Sequence, residues 1–169
     1  MKHKLTLILC ILPLLSLLGA CSPSEPAKSP AVKQEKAYRK IYKVKGEFAD
    51  VRDFLIFSLQ DKGLKVNNVS HIGDMLERTG KDLGRTATVY THAEGIEFCS
   101  STLSRNMMEA DRDNIVFCPY IIYIYVKPNE PGTVYLSYRI PDQVGSAAVN
   151  KTLQDVQDLI EAIIKGAMN

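Results

Sequence analysis

Two cysteines in the middle of the chain are the residues best suited to chemistry. Cys99 and Cys118 lie near the two ends of "EFCSSTLSRNMMEADRDNIVFCPY", which runs from residue 97 to residue 120. A cysteine pair forms a structural disulfide in an oxidising compartment, binds a soft metal ion, or exchanges electrons as a reactive dithiol. The pair lacks the C-x-x-C spacing of thioredoxin-like exchangers, so the compartment and the neighbouring residues must decide between these possibilities.

A metal site at these cysteines would need histidine ligands from elsewhere in the chain. His71 and His92 could complete a Cys₂His₂-like or copper-like set with Cys99 and Cys118, although no two of the four residues have a typical ligand spacing. A redox role would draw on the predicted helix after Cys99, because a helix N-terminus lowers the pKa of a nearby thiol. We expect no bound cofactor and consider the disulfide first.

Tyrosines are concentrated on a predicted hairpin between residues 120 and 139. Tyr123 and Tyr125 share one strand face, and Tyr135 lies on the partner strand. If they meet across the pair, they form an aromatic surface suited to a ligand or a protein partner. Ordinary packing between the strands is the alternative interpretation.

Catalytic motifs are absent from the sequence. It contains no G-x-S-x-G, P-loop, H-E-x-x-H or G-x-G-x-x-G pattern. Five carboxylates are expected to cluster near the helix that follows Cys99 and to form its solvated exit, with general acid/base work by paired acids as the alternative: Glu94, Glu97, Glu109, Asp111 and Asp113. The sequence therefore favours a non-enzymatic protein.

The first 21 residues indicate export and lipid attachment. Lys2 and Lys4 precede an apolar run from Leu5 to Leu18, which has the length of a secretory segment and is too short to cross a bilayer. The run ends in Leu18-Gly19-Ala20-Cys21, which resembles the bacterial lipobox and implies lipidation of Cys21 after cleavage. An ordinary signal peptide is the alternative.

If Cys21 is lipidated, we expect the protein to associate with a membrane through its lipid. Ser22 stands where an aspartate would, by resemblance to the enterobacterial sorting rule, retain the protein in the inner membrane, so we expect the outer membrane, facing the periplasm. Removal of Lys2 and Lys4 takes the basic residues from 21 to 19, equal to the 19 acidic ones. A neutral domain without basic runs argues against nucleic acid as a partner.

Three segments follow from this interpretation. Residues 1–20 are a signal peptide, residues 21–37 a lipid-anchored flexible tether rich in proline and serine, and residues 38–169 a single globular domain. In an oxidising periplasm the two cysteines that remain in this domain are expected to pair.

The cysteines and tyrosines must be positioned by alternating strands and helices. We predict a strand before residue 48, a helix capped by Asp50 and ended by Gly63, a strand broken at Asn67-Asn68, and a short helix or turn. We then predict a strand over residues 85–98 that bends at Gly95, a helix over 100–110, a strand over 115–126 and a partner strand.

The C-terminal segment repeats apolar residues at helical spacing, which predicts an amphipathic helix packed on the core. These residues are Val149, Leu153, Val156, Ile160, Ile163 and Ile164. The fold class is α+β, a two-layer sandwich with a mixed or antiparallel sheet of about five strands and two to three helices packed on it.

Two stretches resemble the domain-of-unknown-function 302 family over about residues 40–141. They are "DVRDFLIFSLQDKGLKVNNVSHIGDML" and "EFCSSTLSRNMMEADRDNIVFCPYIIYIYV". The chain departs from the common family pattern at Cys99-Ser100-Ser101, where the family has Cys-Asn-Pro, and at Cys118-Pro119, where it has Pro-Cys. The resemblance implies the fold, and the family's name implies no established activity.

Two functions compete at this point. The first is a lipid-anchored envelope protein that binds a small ligand or an envelope protein, with homo-oligomers possible through an exposed strand edge. The alternative is a thiol- or metal-dependent periplasmic redox protein that uses Cys99 and Cys118.

Overall fold

The described part of the chain folds into one five-stranded antiparallel sheet with helices packed on it. The structure is a computed structural model, and it describes residues 37–143 and 145–168. The elements in chain order are β1 (Arg39–Lys45), α1 (Phe48–Asp61), β2 (Val66–Ser70), α2 (Ile72–Asp82), β3 (His92–Phe98), α3 (Ser101–Ala110), a 3₁₀ helix (Arg112–Phe117), β4 (Tyr120–Val126), β5 (Thr133–Arg139) and α4 (Ala147–Gly166).

The strand order across the sheet is β1-β5-β4-β3-β2, and every neighbouring pair is antiparallel. Helix α4 contacts both α1 and α3, and these three helices form the second layer. The predicted α+β two-layer sandwich is therefore confirmed, with an antiparallel sheet.

The core lies between this helical layer and one face of the sheet. All six apolar residues predicted to face inward from the C-terminal helix are buried on α4. They meet Val51, Leu55 and Leu59 of α1. Ser58 of α1 also donates a hydrogen bond from Oγ to the main-chain oxygen of Ile163, at 2.9 Å, and so connects the two helices.

The predicted start of α1 was wrong and its end was right. The helix begins at Phe48 after Glu47, and Asp50 lies in the first helical turn rather than at the cap. A carboxylate in the first turn still interacts favourably with the helix dipole. The helix ends near Gly63, whose φ of +70° favours glycine.

The two middle strands are shorter than predicted. The third strand covers only His92–Phe98, and Gly95 lies in regular register with Ser70 and Tyr123. The fourth begins at Tyr120, because Arg112–Phe117 forms a 3₁₀ helix and Pro119 has no N–H to donate to a strand partner. Cys118 therefore precedes β4 instead of lying inside it.

One further local prediction was confirmed. Strand β2 has a register shift between Val66 and Asn68, where a break was expected. Ser100 caps α3 by accepting a hydrogen bond from the main-chain nitrogen of Leu103. The described part of the chain holds no helix with both the length and the apolar character needed to cross a membrane.

Candidate functional site

The sheet brings the two central cysteines together at one end. Cys99 directly follows β3 and Cys118 comes just before β4, and the terminal residues of these strands, Phe98 and Tyr120, are register partners. Both cysteines are free thiols, both are half-buried, and their side chains interact with each other. The predicted proximity of the pair is thus present in the fold.

The surroundings of Cys99 disfavour its thiolate. Burial raises the pKa of the Cys99 thiol, and the neighbouring Cys118 raises it further. Ser104 Oγ lies 3.3 Å from Cys118 Sγ and 3.1 Å from the hydroxyl of Tyr120. Burial also raises the pKa of Tyr120 to about 12. A reactive cysteine needs the opposite, an environment that stabilises its anion.

The two histidines lie at the other end of β3 from the cysteines. His92 begins this strand and Cys99 follows its last residue, so the seven residues of β3 separate the two groups. The proposed set of His71, His92, Cys99 and Cys118 is not brought together. Within residues 37–143 and 145–168, no group of three or more His, Cys, Asp or Glu side chains is arranged to hold a metal ion.

Both histidines instead line the same cleft, which has a volume of about 270 Å³ and lies between α2 and the start of β3. His71 Nδ1 lies 3.5 Å from Glu94, which accepts a 2.6 Å hydrogen bond from Arg52. The His92 ring stacks on Phe48 at a centroid distance of 4.8 Å. Because Arg52 and Phe48 belong to α1, these contacts pack α1 against the sheet.

The expected group of five carboxylates is divided. Glu94 lies at the histidine end of β3. Glu97 points to the opposite sheet face, where it accepts hydrogen bonds from Ser70 at 2.8 Å and Asn68 at 3.2 Å. The alternating strand geometry separates residues that are close in sequence.

The predicted tyrosine cluster forms on the sheet face opposite the helical layer, which we call the outer face. Tyr125 and Tyr135 are register partners, and their rings stack with centroids 5.0 Å apart and planes at 9°. Tyr123 shares this face and is half-exposed, as is Tyr125. Tyr90 packs edge-on against Tyr125 at 5.3 Å; it lies before β3 and was not among the predicted site residues.

Tyr135 is the exception within the cluster, because it is only 1% exposed. The ammonium groups of Lys43 and Lys127 lie 5.2 Å and 4.2 Å from its ring centroid. Its hydroxyl donates to Glu130, and this hydrogen bond lowers the pKa of the Glu130 carboxyl. Tyr135 supports the surface, whereas Tyr123 and Tyr125 present it to solvent.

Comparison with known proteins identifies the family. The family model described as "Domain of unknown function DUF302" matches residues 40–169. The match therefore extends beyond residue 141 and includes α4. An uncharacterized conserved DUF302 protein from Bacillus stearothermophilus has a similar fold, with a TM-score of 0.66 at 15% identity, over 78% of this chain and 99% of the other. No curated protein matches. The chain belongs to the DUF302 family.

Proposed function

We propose that this protein is a lipid-anchored component of the bacterial cell envelope, held at the outer membrane and facing the periplasm. The support is the N-terminal sequence, which lies outside the described residues. Its basic start, apolar run and Leu18-Gly19-Ala20-Cys21 ending occur together, and Ser22 favours the outer membrane.

Labelling with radioactive palmitate, followed by membrane fractionation, tests the anchor. The wild-type chain should carry label and sediment with outer membranes, whereas Cys21→Ser should lose the label. Cys10→Ser is the matched control, because Cys10 lies in the segment that is removed, and it should label like the wild type. An unlabelled wild-type protein would refute the anchor.

The domain itself is proposed to be a non-enzymatic binding module that uses the outer face. The observation that carries this proposal is the half-exposed pair Tyr123 and Tyr125 on a sheet face that also presents exposed cations. Arg39 and Lys43 are exposed on β1, and Arg139 is exposed at the end of β5. Tyrosines beside cations suit a partner with both apolar and negatively charged groups.

Site-specific photo-cross-linking in living cells tests this surface. Benzoylphenylalanine at Tyr125 should give a defined adduct, and the same probe at Gln60, exposed on α1, should give none. An adduct of twice the chain's mass would identify a homo-oligomer as the partner. Equal adducts at both positions, or none at Tyr125, would refute the proposal.

We also propose that Cys99 and Cys118 form a structural disulfide in the periplasm. Both thiols lose their protons, and the pair passes two electrons to a disulfide of an oxidising partner, which leaves as two thiols. The closed loop of about 20 residues would contribute roughly 3 kcal/mol in the chain-entropy model. Burial of Cys99, which disfavours its thiolate, makes a structural role more suitable than the alternative redox function.

The thiol state distinguishes the structural role from the redox alternative. Alkylation of the exported protein without reductant, followed by intact mass, should find no free thiol. The double variant Cys99→Ser, Cys118→Ser should unfold more easily yet keep the Tyr125 cross-link. Two free thiols in the exported protein would contradict the disulfide.

A further inference from the structure

An apolar cleft opens where β4 and β5 stop pairing. Their ladder ends at the Tyr123–Ser137 pair, although β4 begins at Tyr120 and β5 continues to Arg139. The cleft has a volume of about 430 Å³, within the range of roughly 300–1,000 Å³ that is typical of small-molecule sites.

Its lining is mainly apolar and comes from three elements. Val156 and Ile160 of α4 form its floor, and Ile121 and Tyr123 line it from β4. Val116, Phe117 and Pro119 contribute the wall that leads into β4. An aliphatic chain in this cleft would be removed from water, at a gain of about 0.8 kcal/mol per buried methylene.

An arginine lies at the mouth of the cleft, and a second one lies next to it on the sheet. Arg139 lies on it, and Arg39 is its direct register partner on β1, so their side chains share the outer face. Among the described residues, neither arginine forms an ion pair. Like charges placed directly opposite destabilise a strand pair, and an anion would relieve this repulsion. Asp142 also lines the cleft.

The position of the cleft fits a ligand with a hydrocarbon chain. Tyr38 and Arg39, which connect the domain to the preceding segment, lie at the same end of the sheet as Arg139. If the chain is anchored by Cys21, this is the end at which the tether enters the domain.

We propose that the cleft binds a single-chain amphiphile with a carboxylate headgroup, that is, a free long-chain fatty acid. The acyl chain lies over Val156 and Ile160, and the carboxylate accepts hydrogen bonds from the Arg139 guanidinium. This inference rests on the proposed binding function, for which it names the ligand class and the subsite next to Tyr123.

Calorimetric titration with sodium decanoate below its micelle concentration tests the charge recognition. The protein is the full mature chain with Cys21→Ser, which removes acyl chains that would compete for the cleft. Decanoate should bind at one site, and decyltrimethylammonium should bind at least about tenfold more weakly. Arg139→Gln should weaken decanoate binding about tenfold, whereas Arg78→Gln, on exposed α2 surface, should not change it.

A second pair of variants tests the hydrocarbon subsite. Ile121→Trp fills the cleft and should abolish decanoate binding, whereas Ile41→Trp, on the exposed edge of the same sheet face, should bind like the wild type. Octanoate, which has two methylenes fewer, should bind about tenfold more weakly than decanoate.

The inference is overturned if decanoate does not bind, or if it binds equally well to Arg139→Gln and Ile121→Trp. Its failure is distinct from failure of the proposed function. If decanoate does not bind but the Tyr125 cross-link persists, only the fatty-acid ligand is refuted. If decanoate binds but no cross-link forms, the partner surface is refuted instead.

Discussion

Substitution of Glu161 should reveal how α4 is held against the edge of the sheet. This carboxylate accepts hydrogen bonds from Lys40 Nζ of β1 at 2.7 Å and from the Tyr138 hydroxyl of β5 at 2.8 Å. Gln157 donates a further bond at 3.2 Å, and Lys165 lies 3.6 Å away. The Glu161 side chain is only 15% exposed, so the variant Glu161→Gln removes a charge that the fold has surrounded with donors.

The expected magnitude follows from the pKa of this carboxyl. The hydrogen bond from Lys40 is the largest cause that lowers the pKa from 4.5 to about 2, against the opposing effect of burial. This difference corresponds to roughly 3 kcal/mol of folding free energy before solvent screening. Because the Lys40 side chain is 43% exposed, we expect a smaller contribution, about 1–2 kcal/mol.

The pH dependence has a definite sign. A carboxyl whose pKa is lowered by folding contributes its full stability above the unfolded pKa of 4.5, and that contribution is lost as the pH falls toward about 2. Glu161→Gln should therefore unfold at lower urea concentration than the wild type at about pH 7, and the difference should shrink as the pH approaches 2.

Urea unfolding followed by circular dichroism at several pH values measures this difference. The matched control is Glu109→Gln, which breaks the exposed 2.7 Å pair with Arg105 and should cost at most about 0.5 kcal/mol. Parallel curves for wild type and Glu161→Gln from neutral to acidic pH would show that the carboxylate charge contributes nothing to folding.

Glycine positions give the remaining predictions. At Gly166 a Cβ would lie 2.4 Å from Ser58 Oγ, so Gly166→Ala should lower the free energy of unfolding by about 1–3 kcal/mol. In a double-mutant cycle Ser58→Ala should restore part of this loss, and strict additivity would contradict the proposed clash. At Gly73 a Cβ would lie 2.9 Å from the main-chain nitrogen of Ala93, so Gly73→Ala should displace α2 and lower the melting temperature. Gly80→Ala on the same helix has room and should stabilise by about 0.5–1 kcal/mol; equal effects at the two sites would refute the contact argument.

Patterns that span several turns or strands were interpreted correctly from sequence. The inward stripe of α4 was predicted residue by residue, because burial of a helix against a core requires a 3.6-residue period. Single-residue boundaries were less secure. Asp50 resembles a cap, yet tertiary packing starts α1 at Phe48, whose ring stacks on His92. Val116 and Phe117 read as strand residues but belong to a 3₁₀ helix, because Pro119 cannot continue a ladder.

The order of elements, the fold class and the family resemblance could be predicted from the sequence, since these depend on local periodicity and on motifs of neighbouring residues. The sequence also identified the residues that could pair, namely the two cysteines and the hairpin tyrosines. Which side chains meet depends on the three-dimensional fold. Sheet register places Cys99 beside Cys118, whereas His92 lies at the opposite end of β3. Tyr135 is buried beneath Lys43 and Lys127. The divergence of β4 from β5 likewise arises from strand pairing between distant segments, which no local pattern in the chain encodes.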